Sequence, residues 1–468
     1  MKAITNWNYT PYMRYHETKR ATLPHICRVA PKLGGFLIEW FDKGAECPHK
    51  IIINKRTDDK DTREYELSDA VFEISDLAEN ETYEVTVWRS DMSEHSDTRL
   101  VRTGFARGTV LNYIHPEDHT VKYSGVCPGS PSIVALPSGK LLAAMDILLG
   151  DTDEKLTFIY ESTDHGETWK YVTELYPCHW GKLFYHRGKL YCCGEGGSCL
   201  LLGCSEDEGK TWSTPIRLMQ GARRDWAIHK SVNPFVEYDG RIWTAIEYGS
   251  WKFHCYYHML LSAPADSDLM NPENWVFSEP AKVNLGEVDI DTDVLTGAEG
   301  NAVAMPFGIC DVLRVDPSFK NPEGSYKTYN VAMVRLGDSK NPEAPLVHNR
   351  VINIPCGLHN KFIMMKEPTG LGYVMIGNEY TEEHKLRSLL TLAVSKDGVN
   401  WKNALRIVDA RPDETPDKKD IAYSDPDMAF DGEDIVLVTR TASNGAMDFH
   451  NNNMVCFFKV ENYKQYFT

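Results

Sequence analysis

A polar octad, Ser162-Thr163-Asp164-His165-Gly166-Glu167-Thr168-Trp169, separates two apolar runs and recurs as Ser205-Glu206-Asp207-Glu208-Gly209-Lys210-Thr211-Trp212. A third copy, Ser395-Lys396-Asp397-Gly398-Val399-Asn400-Trp401, is one residue shorter, and a degenerate fourth runs with an insertion from Ser262-Ala263-Pro264 to Asn274-Trp275. Each follows strand-like or apolar residues, as in KLTFIYES and LLTLAVS. The residue types have a local reason. Ser and Asp side chains bond turn amides, Gly supplies positive φ, and Trp packs back onto its hairpin. A chain punctuated in this way is confined to repeated antiparallel hairpins.

The spacing sets the number of units. Copies near residues 162, 205, 262 and 395 leave a gap that NVAMVRL near residue 330 fills, and NMVCFFKV supplies a last strand. This predicts about six repeats of the length that a four-stranded blade needs. The expected fold is all-β: a six-bladed, alternatively seven-bladed, β-propeller over residues 106–468. The first hundred residues carry no octad. GGFLIEW, HKIIINKR and FEISDLAENETYEVTVWRS alternate as strands, which predicts a small β-sandwich over residues 1–105 ending near RTGF.

Composition narrows the partners. A chain of 468 residues exceeds one ordinary core. Its net charge of −17 argues against nucleic acid and anionic membranes, though not against a local basic pocket. No window approaches twenty apolar residues, and the N-terminal residues lack the apolar core of a signal peptide. Twelve cysteines in such a chain read as reduced thiols in a cytoplasmic protein. Cys178, His179, His186, Cys192, Cys193, Cys199 and Cys204 lack a Cys-x2-Cys pair, which argues against zinc. Asp289, Asp291 and Asp293 alternate, but Val294 and Gly300 stand where a calcium loop needs glycine and a carboxylate. No metal or other cofactor is expected.

The octad resembles the Asp-box, or BNR repeat, of the sialidase superfamily. Leu77 followed by Tyr83 similarly resembles the tyrosine corner of fibronectin type III domains, with Trp40 as the buried tryptophan. The sialidase resemblance implies an axial mouth holding three arginines, a Tyr–Glu nucleophile pair and an Asp acid/base. In DIAYSDPDMAF the tyrosine place is Tyr423. A neutral phenol suits an anomeric carbon that already carries a carboxylate, since an anionic nucleophile would be repelled. TGAEGNAVAMPFGICDVLRVD places Glu299 at one strand start and Arg314 across the hairpin. A further arginine is Arg387 in HKLRSLL, a bidentate partner for a planar carboxylate. Asp151 and Asp153, with Asp146 before them, are the acid/base candidates in DILLGDTDEKLTFIYES.

One position departs from the resemblance. Gly129 stands where sialidases carry the first arginine, which puts sialic acid itself in doubt. Arg223, Arg224, Lys230 or Arg440 are replacement cations. Other sets also look like pocket residues: His229, Lys230, Glu247 and Trp251; His359 and Lys361 with Asn378 and Glu379; Arg440, His450 and Asn451. Three readings follow. The first is an exo-acting, retaining glycoside hydrolase removing an acidic or deoxy sugar from an oligosaccharide or glycoconjugate. The second is a polysaccharide lyase or His-dependent glycosidase on uronate- or rhamnose-containing glycans, in which a cation neutralises the carboxylate and His or Tyr takes the adjacent proton. The third is a non-catalytic glycan-binding propeller.

Overall fold

The computed structural model describes residues 24–42, 48–121, 124–151, 155–221, 226–250, 252–253, 255–288, 294–318, 330–356, 360–381, 387–410 and 421–468. Seven strands come first: β1 (His25–Lys32), β2 (Gly35–Phe41), β3 (His49–Lys55), β4 (Asp58–Leu67), β5 (Val71–Ile74), β6 (Thr82–Arg89) and β7 (Arg99–Arg102). They form two antiparallel sheets, β1-β2-β5 and β4-β3-β6-β7. Alternation in β6 points Tyr83, Val85 and Val87 inward onto Phe36, Ile38, Trp40, Ile51 and Ile53. The Tyr83 hydroxyl accepts the Ala78 amide at 3.1 Å, which fixes the chain just before β6.

After β8 (Thr109–Tyr113), sheets follow one another along the chain. The first is β9 (Gly125–Ala135), β10 (Leu141–Leu149), β11 (Thr157–Ser162) and β12 (Lys170–Leu175). The second is β13 (His179–His186), β14 (Lys189–Gly196), β15 (Cys199–Ser205) and β16 (Ile216–Gln220). The third has β17 (Ala227–His229) innermost, with β18 (Val236–Tyr238), β19 (Arg241–Ser250), β20 (Cys255–Pro264), β21 (Val276–Phe277) and β22 (Ala281–Lys282). The fourth is β23 (Val294–Met305), β24 (Gly308–Ser318), β25 (Val331–Leu336) and β26 (Val347–Asn353). The fifth is β27 (Ile363–Lys366), β28 (Tyr373–Asn378), β29 (Leu389–Ser395) and β30 (Lys402–Asp409). In the last, β31 (Ala422–Asp431), β32 (Asp434–Ala442) and β33 (Met454–Val460) are completed by β8, which pairs antiparallel with β33. The fold is a β-propeller, and an N-terminal strand closes its C-terminal sheet.

The octads sit between the third and fourth strands of their sheets and repeat one geometry. In the first, Ser162 Oγ accepts the Gly166 amide at 2.8 Å and Asp164 accepts the Thr168 amide at 2.9 Å. The Trp169 indole then donates to Gly166 O at 3.1 Å. The second and third copies match, with indole bonds from Trp212 to Gly209 O and Trp401 to Gly398 O. In the fourth, the Trp275 indole reaches back to Leu269 O, across the insertion.

Buried polar groups join neighbouring inner strands. Asp427 on β31 accepts from Ile133 N at 2.8 Å and Ser132 Oγ at 3.0 Å on β9, and pairs with Lys182 Nζ on β13 at 2.6 Å. Lys230 N donates to Glu195 on β14, and Gly300 N on β23 donates to Glu247 on β19 at 2.7 Å. Asn301 accepts from Met364 N and donates to Phe362 O, tying β23 to β27. Asn378 on β28 donates to Tyr423 O on β31 at 2.8 Å. The sandwich is seated on the same ring: Arg28 donates to Leu111 O and Val110 O on β8, and Arg99 meets Asp118 at 2.5 Å.

Among the described residues no helix is long and apolar enough to cross a membrane, and no group of three His, Cys, Asp or Glu side chains is placed to hold a metal. Cys178, Cys192, Cys193, Cys199 and Cys204 are buried free thiols. Asp289, Asp291 and Asp293 lie outside the described residues.

Asp427→Ala removes one partner of a fully buried ion pair and orphans Lys182. Loss of about 3–5 kcal/mol of stability is expected, read by denaturant unfolding; a shift within error would contradict this role.

Candidate active site

A cavity of about 390 Å³ opens beside the inner strands, lined by Ser130, Leu148, Trp180, His229, Glu299, Arg314, Lys361, Arg387, Asp425, Arg440 and His450. A cleft of similar size between sandwich and propeller is lined mainly by apolar and aromatic residues, with Glu39 and Lys170. Ionisable groups from several sheets converge at the axial cavity, and this makes it the candidate.

A shared local device presents its walls. β9, β13, β23 and β31 each carry one extra residue against their partner strand, at Gly129–Ser130, Trp180–Gly181, Glu299–Gly300 and Asp425–Pro426. These are β-bulges, which re-aim side chains at barrel and propeller mouths. Trp180, Glu299 and Asp425 take positive φ there, at 52°, 51° and 51°, and Arg387 does so at 63°. Left-handed backbone at non-glycine residues costs of order 1–3 kcal/mol and clusters at functional sites. Gly129 completes the set for a steric reason. A Cβ there would lie 2.0 Å from Asp146 Oδ1, so the buried carboxyl occupies the space of a side chain at 129. Asp146 accepts the Trp180 amide at 2.9 Å and lies 3.2 Å from His179 Nε2. Burial pushes its carboxyl up to about 7.

The cavity is electropositive. Four cations, Arg314, Lys361, Arg387 and Arg440, face two carboxylates, Glu299 and Asp425. Arg314 Nε lies 2.6 Å from Glu299 Oε2, and Arg440 Nη1 lies 2.6 Å from Asp425 Oδ2. Burial opposes the charge on Asp425, but Arg440, Arg387 and Lys361 hold its carboxyl well below the usual range. Burial lowers Lys361 and Arg387, which donate to Pro426 O and Asn360 Oδ1. Arg440 also donates to Asn452 Oδ1 and to His450 O.

His229 is positioned for proton transfer. Its Nδ1 lies 3.0 Å from Glu247 Oε2, and Glu247 is itself pinned by Gly300 N. Burial opposes the imidazolium, but the bond and charge of Glu247 raise the His229 pKa above its ordinary value. The indole of Trp180 stands edge-on to this ring at 4.5 Å and stacks on His179 at 4.1 Å.

Seven of the sequence-derived residues thus meet at the cavity: Glu299, Arg314, Arg387, Arg440, His229, Lys361 and His450. Glu247 and Lys230 are fully buried behind it. Tyr423 is elsewhere: alternation on β31 turns its ring into the apolar cluster with Ile421 and Met428, 6.0 Å from Phe458. Asp151 is exposed on the loop after β10 and is not among the lining residues. Asp153, His359, Arg223, Arg224 and Trp251 lie outside the described residues. Asp425 and Trp180 escaped the sequence reading. Their signal was a large or charged residue directly before Pro426 or Gly181 in an otherwise inner-strand run.

No family model matches the sequence, and no curated protein sequence is significantly similar to it. Solved structures do resemble the fold. A Penicillium chrysogenum α-L-arabinanase complexed with arabinobiose superposes with a TM-score of 0.50 at 15% identity, covering 77% of this chain and 99% of that one. A Fusarium graminearum α-L-arabinofuranosidase mutant in complex with an iminosugar inhibitor gives 0.52 at 13% identity, covering 76% and 98%. At these identities the likeness is one of fold.

Two outcomes test this geometry. In wild-type protein the His229 imidazole should titrate above the ordinary histidine value by NMR, and Glu247→Gln should move its pKa down, since the carboxylate that favours the charged ring is gone. Gly129→Ala should destabilise by about 1–3 kcal/mol through overpacking, and Asp146→Gly in the same chain should relieve it; equal stability of all three would refute the steric pairing.

Proposed function

We propose that this protein cleaves glycosidic bonds in a glycan bearing acidic sugars, with His229 as the proton-transfer group. The observation that carries the reading is the excess of cations in the cavity of a chain with net charge −17. A carboxylate- or sulfate-bearing sugar is drawn to such a mouth, whereas a neutral one gains nothing from it. The arabinanase and arabinofuranosidase that share the fold support a glycan as the ligand class.

β-Elimination on a uronate fits the groups best. Arg387 and Arg314 would neutralise the sugar carboxylate and acidify the adjacent C–H. His229 would take that proton, with Glu247 stabilising the imidazolium. The C–H electron pair becomes the new C=C bond as the glycosidic C–O bond breaks. The departing oxygen takes a proton from the imidazolium or water. Trp180 lines the cavity beside His229 and adds an aromatic contact for the sugar.

Hydrolysis is the second reading, favoured by the presence of both Glu299 and Asp425 in the cavity wall. A Tyr423 nucleophile would require that ring to leave its apolar cluster, so hydrolysis would rest on the two carboxylates. The bond from Ala78 N to Tyr83 Oη supports a fibronectin type III-like reading of the N-terminal sheets, as a docking or spacing unit.

Incubation with polyglucuronate or polygalacturonate separates the readings. Elimination yields an unsaturated product absorbing in the near ultraviolet; hydrolysis yields new reducing ends without that absorbance. His229→Ala should lower kcat by roughly 100-fold or more, and Arg387→Ala should chiefly raise KM. Binding of such glycans without any cleavage would overturn the proposal.

A further inference from the structure

The third sheet carries an aromatic array that the cavity chemistry does not use. Register pairs Ile228 on β17 with Tyr248 on β19, and Tyr248 with Tyr257 on β20. Trp226, immediately before β17, continues that row. Its ring centroid lies 6.4 Å from Tyr248, 6.5 Å from Tyr257 and 6.1 Å from Phe253, which it stacks on at 23°. Trp226, Tyr248 and Tyr257 are half-buried, and Phe253 at the tip of the β19–β20 hairpin is 51% exposed. Lys252 holds its ammonium 5.4 Å over the Phe253 ring.

The row starts a short distance from the cavity and leads away from it. Trp226 is three residues before His229, a cavity-lining group, which places it roughly 10 Å along the strand. From there the array crosses β17, β19 and β20 in order, outward from the innermost strand. Core packing alone explains Tyr248, which touches the apolar cluster beneath. It does not explain an exposed phenylalanine capped by a lysine beside three half-exposed rings.

We propose that Trp226, Tyr248, Tyr257 and Phe253 form a flanking subsite that stacks the sugar units next to the one held in the cavity, with Lys252 meeting their acidic groups. The assignment rests on the acidic-glycan reading above and extends it: the substrate is an oligosaccharide or polymer laid radially over the third sheet, not a single terminal sugar. Flat apolar sugar faces suit aromatic rings, and a lysine over a ring suits an anionic substituent.

The test uses the full chain and two ladders from disaccharide to hexasaccharide, one of oligoglucuronates and one of neutral arabino-oligosaccharides, titrated by calorimetry. Wild-type affinity for the acidic ladder should tighten with length. Trp226→Ala and Phe253→Ala should each weaken the hexasaccharide by roughly three- to tenfold and flatten the length dependence, and Trp226→Phe should restore most of it. Unchanged thermal unfolding of Phe253→Ala separates this from misfolding. Equal loss for short and long members, or no loss at all, overturns the subsite even where His229→Ala abolishes cleavage, in which case the cavity reading stands alone. If only the neutral ladder binds, and Trp226→Ala flattens it, the stacking surface survives and the acidic reading falls. If neither ladder binds, both fall.

Discussion

Buried polar bonds between inner strands hold this propeller in register. A blade buries its apolar faces against its neighbours, but apolar packing tolerates sliding and rotation. Asp427 does not tolerate it: one carboxylate holds β9 by two hydrogen bonds and β13 by Lys182. Asn301, Asn378 and Glu247 do the same for other neighbouring sheets. A buried polar group is stable only where its partners are placed for it. These contacts therefore fix where each inner strand sits relative to the next, and the cavity walls stand on those strands.

The same strands carry the bulges, and this links scaffold to site. The regular alternation of a strand would send Glu299 and Asp425 along with their neighbours. One extra residue at each position lets them face the cavity while Asn301 and Asp427, two residues on, remain in the interior. Glu247 shows how closely the two roles are joined. One oxygen accepts the amide of the Glu299–Gly300 bulge, and the other orients His229. The strain of left-handed backbone at Trp180, Glu299 and Asp425 is carried by this framework.

Electrostatics set the character of the cavity. The chain is strongly acidic overall, yet four cations meet two carboxylates at the mouth. The two close Arg–carboxylate pairs limit the repulsion among the cations without neutralising the excess. An anionic sugar would complete that balance. Gly129 leaves no vacant space at the cavity wall. Asp146 fills the space and fastens the Trp180 amide.

The sequence by itself determined the hairpins. Each octad closes through bonds within a few residues, as from Ser162 to Gly166 and Trp169 to Gly166, so its geometry needs no distant partner. The alternating apolar runs between octads likewise fixed strands and the all-β class. The resemblance of the octads to sialidases marked Glu299, Arg314 and Arg387, and the charged sets at strand starts marked Arg440 and His229. Only the tertiary structure decided that β8 completes the last sheet, since that pairing joins residues more than three hundred positions apart. It alone turned Tyr423 into the core and Asp425 into the cavity, since a single bulge inverts which of two near neighbours faces the mouth. Turn chemistry is local and is written in adjacent residues; the facing of a side chain depends on register against a partner strand, which is not.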